Sequence, residues 1–265
     1  MNTVDELSED SLHQLAVHTW VQTCRLLIRW QHDPQTVIQS LVMPCAFLVS
    51  LNLVFGKAIS DISGQNALNG TVPMAALVGA LFGSTAAGIS LMRERDDGLL
   101  TRFWALPVHR MAGVLSRLVA EAIRIFAAAV LVMLTGIALG FRFDAGLARI
   151  PAWLAVPVVF GVAFSFLVTT LALRIRNTVL AEATGIAVAG LFFFCTGFVP
   201  LDLYPRWIQP VIAHQPMSYA VEVMRALSAG GTLLVPVVGT LLWSVGVATV
   251  CLMPMTNGYR KASMR

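Results

Sequence analysis

Charged residues are few in this chain, so the places where they gather carry weight. The densest gathering reads Arg93-Glu94-Arg95-Asp96-Asp97-Gly98-Leu99-Leu100-Thr101-Arg102-Phe103-Trp104-Ala105-Leu106-Pro107, between two strongly apolar runs. Glu94, Asp96 and Asp97 come first, where the N-terminus of a helix favours negative charge. Leu99, Leu100, Phe103 and Trp104 fall on one side at helical spacing, and Arg95 and Arg102, seven apart, share another. Gly98 weakens such a helix and Pro107 ends it. This pattern does no bond chemistry. It suits a surface helix lying on lipid headgroups, or a lever pressed into a partner protein, and the two readings are compatible.

Glu121 and Arg124 lie within or near a later apolar run, three apart, where they can pair on one helix face. Charge at membrane depth is costly and usually turns inward or finds a partner. Glu182 begins another apolar run, with Arg174 and Arg176 close before it. Carboxylates so placed could relay protons in a secondary carrier; pairing or snorkelling near the interface is the plainer reading. A third region, about 200–230, sets Pro200, Pro205, Pro210 and Pro216 among Tyr204, Trp207 and Tyr219. Prolines break any long helix there, and such aromatics favour membrane interfaces. Short helices or a re-entrant hairpin are expected, either sealing the bundle or gating an exit.

Catalytic signatures are missing. There is no G-x-x-x-x-G-K-[ST] loop, no H-E-x-x-H and no G-x-S-x-G. His13, His18, His32, His109 and His214 are scattered, and Cys24, Cys45, Cys195 and Cys251 have no metal-ligand spacing, so neither a catalytic site nor a metal site is expected. If ATP drives this protein, another chain binds it.

The elements that hold these residues are membrane helices. Of 265 residues, 57% are hydrophobic and 12% charged, against about 25% charged in soluble domains. Mean hydropathy is +0.76 and the pI about 9.2. The net charge of +4 suits anionic lipid at a membrane surface better than nucleic acid. A spanning helix needs about 20 mostly apolar residues, and six segments qualify: 37–56, 73–92, 114–140, 151–173, 179–200 and 232–254. Unbroken runs such as Ile186 to Phe194 contradict the alternation of a β-barrel. If the termini, 93–124 and 174–176 share one side, that side holds thirteen of the 18 Lys and Arg. The richer side is expected to be cytoplasmic, with both termini inside a plasma membrane. Before the first span, Trp20, Leu26, Leu27 and Trp30 alternate with Gln22, Arg25 and Arg29, as in an interfacial helix that Asp33-Pro34 would end. No signal peptide is visible. Gly79 and Gly83 form a G-x-x-x-G step suited to close helix packing.

Several stretches, in order, resemble the ABC-2 type permeases. They are Leu91-Met92-Arg93-Glu94-Arg95 with Gly98-Leu99-Leu100, Leu106-Pro107-Val108-His109-Arg110, and Gly140-Phe141-Arg142-Phe143. Further on come Thr196-Gly197-Phe198-Val199-Pro200-Leu201, His214-Gln215-Pro216-Met217-Ser218-Tyr219-Ala220 with Met224-Arg225, and Gly258-Tyr259-Arg260. The resemblance runs from about Thr19 to Ser263 and is strongest to the actinobacterial daunorubicin-resistance group (DrrB and DrrC), above all its mycobacterial DrrC type.

The resemblance implies an all-α integral membrane fold of six transmembrane helices with an N-terminal interfacial helix. The expected divisions are a tail and connecting helix (1–36), the six-span ABC-2 transmembrane domain (37–254) and a basic tail (255–265). Residues 93–107 would be the coupling helix, with Glu94 and Arg95 as polar contacts to an ATPase and Leu99, Leu100 and Phe103 against the bundle; Arg93, Asp96, Asp97 and Arg102 belong to the same segment. Residues 201–228 would form an outer cap. The implied partners are an ABC ATPase (DrrA-like) carrying ATP and Mg, and a second permease subunit, a DrrB-like sibling or a second copy. The implied cargo is a complex cell-envelope lipid such as phthiocerol dimycocerosate, or a hydrophobic drug. Phe47, Asn52, Phe192 and Phe194 are candidates for the substrate path. A proton-coupled carrier and a membrane scaffold for lipid synthesis are the alternatives. Exchanging charges by Glu94→Lys with Arg95→Glu is expected to uncouple the ATPase and leave the chain folded.

Overall fold

The computed structural model describes residues 12–63, 66–98, 112–175, 177–197, 199 and 201–263. The described residues begin with α1 (Leu12–Gln31), whose exposed apolar side chains Val17, Trp20, Val21 and Ile28 recur at helical spacing on one face. Asp33 then caps a new helix start. Its carboxylate accepts bonds from the Thr36 amide and from the Thr36 hydroxyl, the latter at 2.6 Å. Pro34, whose missing N–H costs nothing at a first turn, opens α2 (Pro34–Val37). A π-helical turn (Ile38–Val42) leads into α3 (Met43–Ser63). Pro44 cannot donate back to the Ser40 carbonyl, and the wider turn just before it accommodates that loss.

Next come α4 (Leu68–Asp96), α5 (Ala112–Ala138), α6 (Ile150–Ala172) and α7 (Asn177–Phe193). A 3-10 turn at Leu201–Leu203 precedes α8 (Gln209–His214) and α9 (Pro216–Ala229), and α10 (Leu234–Ser263) closes the described chain. Among the described residues, five helical runs are long and apolar enough to cross a membrane by length and composition: Pro34–Asp61, Leu68–Asp96, Ala112–Ala138, Leu147–Ala172 and Leu234–Pro254. The segment expected as a span at 179–200 forms α7, whose 17 residues stand at the short end of the roughly 17–25 that cross a bilayer. The helix stops at Phe193 because the carbonyls beyond it are taken by side chains of the cap.

The bundle is built around α4, which packs against α3, α5, α6, α7 and α9. In its apolar window 72% of the residues are buried, against 22% in the first span and 17% in the last. Small residues make this central position possible. A Cβ on Gly79 would lie 2.9 Å from the Pro44 ring, and one on Gly88 2.3 Å from Val168. The G-x-x-x-G step thus packs α4 inside its own subunit: Gly79 faces Pro44, and Gly83 leaves room for Glu121 and Ser40. Phe141, Phe143 and Trp153 form an aromatic cluster with centroids 5.1 to 6.2 Å apart, in which Phe143 meets the other two edge-on.

Candidate functional site

The last turn of α4 is where the charged segment begins. Glu94 is 1% exposed and is held by two arginines from other helices. Arg29 of α1 reaches its Oε1 at 2.7 Å, and Arg117 of α5 bonds its Oε2. One carboxylate therefore ties α1, α4 and α5 together. Arg95 turns the other way and donates to the Ala172 carbonyl at 2.8 Å and the Ile175 carbonyl at 3.4 Å. These are orphan carbonyls at the C-terminal end of α6, where a cation is favoured. The helix ends at Asp96, and Gly98 follows with a φ of +71°, a left-handed conformation common just past helix ends. Glu94 and Asp96 thus sit in the last turn of a helix with Asp97 at its C-cap, where Arg93 and Arg95 offset them; the residues that would form the expected following helix, 99–107, lie outside the described residues.

About one turn along α5 from Arg117, Glu121 is 2% exposed and paired with Arg124. The Ser84 hydroxyl of α4 is 3.0 Å from Glu121 Oε1 and 3.2 Å from the Gly161 carbonyl of α6, and donates its one proton to either. At this end α1 also docks on α5. Thr23 is fully buried, and its hydroxyl lies 2.7 Å from the Thr19 carbonyl and 3.3 Å from the Ser116 carbonyl.

The other end is built mostly from neutral donors and apolar surface, with Arg225 as a charged donor. Where α7 stops, the Phe194–Gly197 backbone runs free of helix. The Gln215 amide donates to the Phe194 carbonyl, and Arg225 Nη2 donates to the Thr196 carbonyl at 2.8 Å. The Tyr204 hydroxyl reaches the Phe193 and Cys195 carbonyls at 3.2 and 3.3 Å. Burial, with the Cys195 thiol as a smaller contribution, pushes the Tyr204 phenol above its ordinary value and keeps it a donor. Irregular backbone at such a place needs internal partners, and these polar side chains supply them. Beside this segment lies an apolar cavity of about 590 Å³. Phe164 and Leu167 of α6, Gly190 and Phe194 at the end of α7, Ile212 of α8 and Trp243 of α10 are among its walls. The Ser244 hydroxyl, also in the wall, is buried without a hydrogen-bond partner.

Comparison with known proteins fixes what this framework belongs to. The sequence pattern of the ABC-2 type transporter matches residues 17–228. The chain belongs to the ABC-2 type transporter family. It is 45% identical over 256 residues, 97% of this chain and 93% of the relative, to the probable doxorubicin resistance ABC transporter permease protein DrrC of Mycobacterium tuberculosis (strain H37Rv). It is 27% identical over 214 residues, 80% of this chain and 74% of the relative, to the daunorubicin resistance ABC transporter permease protein DrrB1 of Streptomyces coeruleorubidus. The doxorubicin resistance permease DrrB of Mycobacterium tuberculosis is 24% identical over 187 residues, 70% of this chain and 64% of its own length. The chain is accordingly a multi-pass membrane permease subunit, the non-catalytic component of an ABC transporter, and its family works with an ATPase partner.

In this ABC-2 permease the residues expected to touch the ATPase divide. Arg93, Asp96 and Asp97 are exposed, whereas Glu94 and Arg95 spend their side chains inside the subunit. Glu94 therefore faces inward, where a contact to a soluble partner would need it outward. Leu99, Leu100, Arg102 and Phe103 lie outside the described residues. Of the four path candidates, Phe47 and Phe192 meet edge to face at 5.1 Å, joining α3 to α7. Phe194 lines the apolar cavity, and Asn52 is half-buried on α3 away from it. Glu182 is exposed on α7 and is not brought to Glu121. The partners Arg29 and Arg117 were missed, although Arg117, Glu121 and Arg124 fall at i, i+4 and i+7 on one face of α5, which was legible.

Proposed function

We propose that this permease exports a lipid or lipophilic compound across the plasma membrane, powered by a separate ABC ATPase (DrrA-like) that holds ATP and Mg. The observation that carries the reading is the apolar cavity between α6, α7, α10 and the cap. Its volume falls within the range of small-molecule sites. Its walls are almost wholly hydrocarbon, so they favour an acyl chain or a fused-ring drug over any hydrophilic solute. One acyl chain of a complex envelope lipid such as phthiocerol dimycocerosate, or the fused rings of an anthracycline such as doxorubicin, meets that requirement.

In this reading the arginine-rich end and both termini are cytoplasmic, following the excess of basic residues. Residues 93–107 couple the ATPase to the bundle through Arg93, Asp96, Asp97 and the segment beyond. Glu94 and Arg95 act one layer behind, making α4 move together with α1, α5 and α6. Residues 201–228 cap the outer face, and Phe194 stands on the substrate path. A second permease subunit, sibling or copy, completes the transporter. The carrier alternative finds no support: Glu121 is neutralised by Arg124, and Glu182 is exposed elsewhere.

The test is transport in vesicles containing the permease with its co-purified ATPase and permease partner. ATP should drive doxorubicin or a labelled apolar lipid outward. Gly190→Trp fills the cavity from a position where a Cβ meets nothing within 4 Å. It should lower transport by at least roughly tenfold, equivalent to about 1.4 kcal/mol, with the thermal midpoint unchanged. Transport that persists without nucleotide overturns export by ATP. Full transport by Gly190→Trp overturns the cavity as the path.

A further inference from the structure

A second cavity lies at the opposite end of the subunit, and the transport reading gives it no role. It is a polar cleft of about 70 Å³, bounded by α1, α2, α4, α5 and α6. That is room for roughly five waters, or for one group the size of a phosphate. Four guanidinium groups face it: Arg29, Arg93, Arg117 and Arg124. The acids on the same cleft are Asp33 and Glu121, and Glu94 is bonded to two of the arginines from behind. Four positive charges thus meet three negative ones.

The donors are unbalanced as well. Arg29, Arg117 and Arg124 each give one terminal nitrogen to a carboxylate. A guanidinium carries five N–H donors. Arg124 Nε is buried without a hydrogen-bond partner. Arg93 is exposed at the mouth, close enough to Asp33 to help hold that carboxylate ionised. Beside the hydroxyls of Thr36, Ser90, Ser165 and Thr169, the cleft therefore holds more guanidinium donors than its carboxylates take up and one negative charge too few, and a singly charged oxyanion answers both.

We propose that this cleft binds a phosphate oxyanion, the headgroup of a net anionic membrane phospholipid. The apolar exposed face of α1, with Val17, Trp20, Val21 and Ile28, suits a helix lying at the depth of lipid headgroups. The first span begins at Pro34, so the cleft opens where such headgroups lie. A soluble phosphate has the same chemistry and is the other source to be distinguished. The site stands independently of export and of what the apolar cavity carries.

The experiment uses the purified full chain in neutral detergent and follows its thermal midpoint against added short-chain phosphatidylglycerol, phosphatidylcholine or inorganic phosphate. Phosphatidylglycerol should stabilise the protein at concentrations at least roughly tenfold below phosphatidylcholine. Arg93→Gln, at an exposed position outside every ion pair described, should weaken the phosphatidylglycerol effect roughly tenfold, the loss of one charged hydrogen bond. Arg93→Lys should retain much of it. Arg206→Gln, exposed at the opposite end, should behave as wild type. A shift from inorganic phosphate alone, equally sensitive to Arg93→Gln, keeps the oxyanion site and overturns its assignment to lipid. Equal effects of the two lipids, or indifference to Arg93→Gln, overturn the site.

Discussion

The two ends of this subunit are held together by opposite means. At the arginine-rich end, two buried carboxylates on adjacent helices are each neutralised by arginine, Glu94 by Arg29 and Arg117, Glu121 by Arg124. At the capped end the backbone of an interrupted helix is satisfied mostly by neutral side chains around an apolar space. A buried charge that loses its partner costs far more than a neutral donor that finds water instead. Separating the helices of the first end is therefore costly. The second can change its spacing at modest cost, because apolar contacts are non-directional. The proposed export would use this division: a stiff end to receive motion from the ATPase and a yielding end to let cargo pass.

The largest effect should come from breaking the stiff end. Glu94→Gln leaves two arginines facing a neutral amide, and losing one side of a buried pair typically costs 3–5 kcal/mol. Arg29 is 48% exposed and can reach water, so the lower half of that range is expected, read by thermal unfolding in detergent. At the capped end, Glu222→Gln breaks a pair whose members are 38% and 27% exposed, and should cost under about 1 kcal/mol. Equal losses at both positions would erase the contrast. The same geometry revises the charge exchange Glu94→Lys with Arg95→Glu. It places a third cation beside Arg29 and Arg117 and an anion against the α6 carbonyls, so the expected result is a poorly folded subunit, not a folded uncoupled one.

A middle-sized effect probes how much the yielding end yields. A Cβ on Gly70 would lie 2.4 Å from the Gly197 carbonyl oxygen and 2.8 Å from Arg225 Nη2. Gly70→Ala should cost about 1–3 kcal/mol, as overpacking usually does. The loss comes from pushing the unwound segment off α4. If the cap is soft, the cost falls at the low end and the Arg225 bond to the Thr196 carbonyl loosens. A cost well above that range would mean that the capped end is as rigid as the other.

How legible these features were in the sequence follows from their physical origin. Span positions were readable because apolar length alone sets them. The early end of α7 was not: Phe194 and Cys195 are as apolar as what precedes them, and the helix stops for partners on Tyr204, Gln215 and Arg225. The Glu121 and Arg124 pair was readable as a local i, i+3 contact. Glu94 misled, because its neighbours Asp96 and Asp97 are exposed and spacing along one helix does not reveal which acid turns inward. Its partners stand 65 and 23 residues away, and only packing brings them together. The apolar cavity was out of reach for the same reason, since its walls come from four separate stretches of chain.

The smallest effect tests the hinge between α1 and the first span, where the stiff end meets the membrane. Asp33 caps the new helix through Thr36, and Asp33→Ala should cost about 1 kcal/mol, the usual worth of an N-cap. The Thr36 hydroxyl bond chiefly holds the Asp33 carboxyl below its ordinary 3.8, with burial opposing and Arg93 assisting. A carboxyl depressed in the folded state stabilises above its unfolded value and loses that contribution as pH falls through the folded one. The difference in thermal midpoint between wild type and Asp33→Ala should therefore be constant near neutral pH and shrink only below 3.8. Arg93→Gln should leave the onset of that loss in place but complete it at a slightly higher pH and make it smaller, because one of the lesser contributions holding the folded Asp33 carboxylate ionised is gone. If the difference instead closes well above 3.8 in the wild type, the cap is a neutral contact, and the hinge belongs with the yielding end of the molecule.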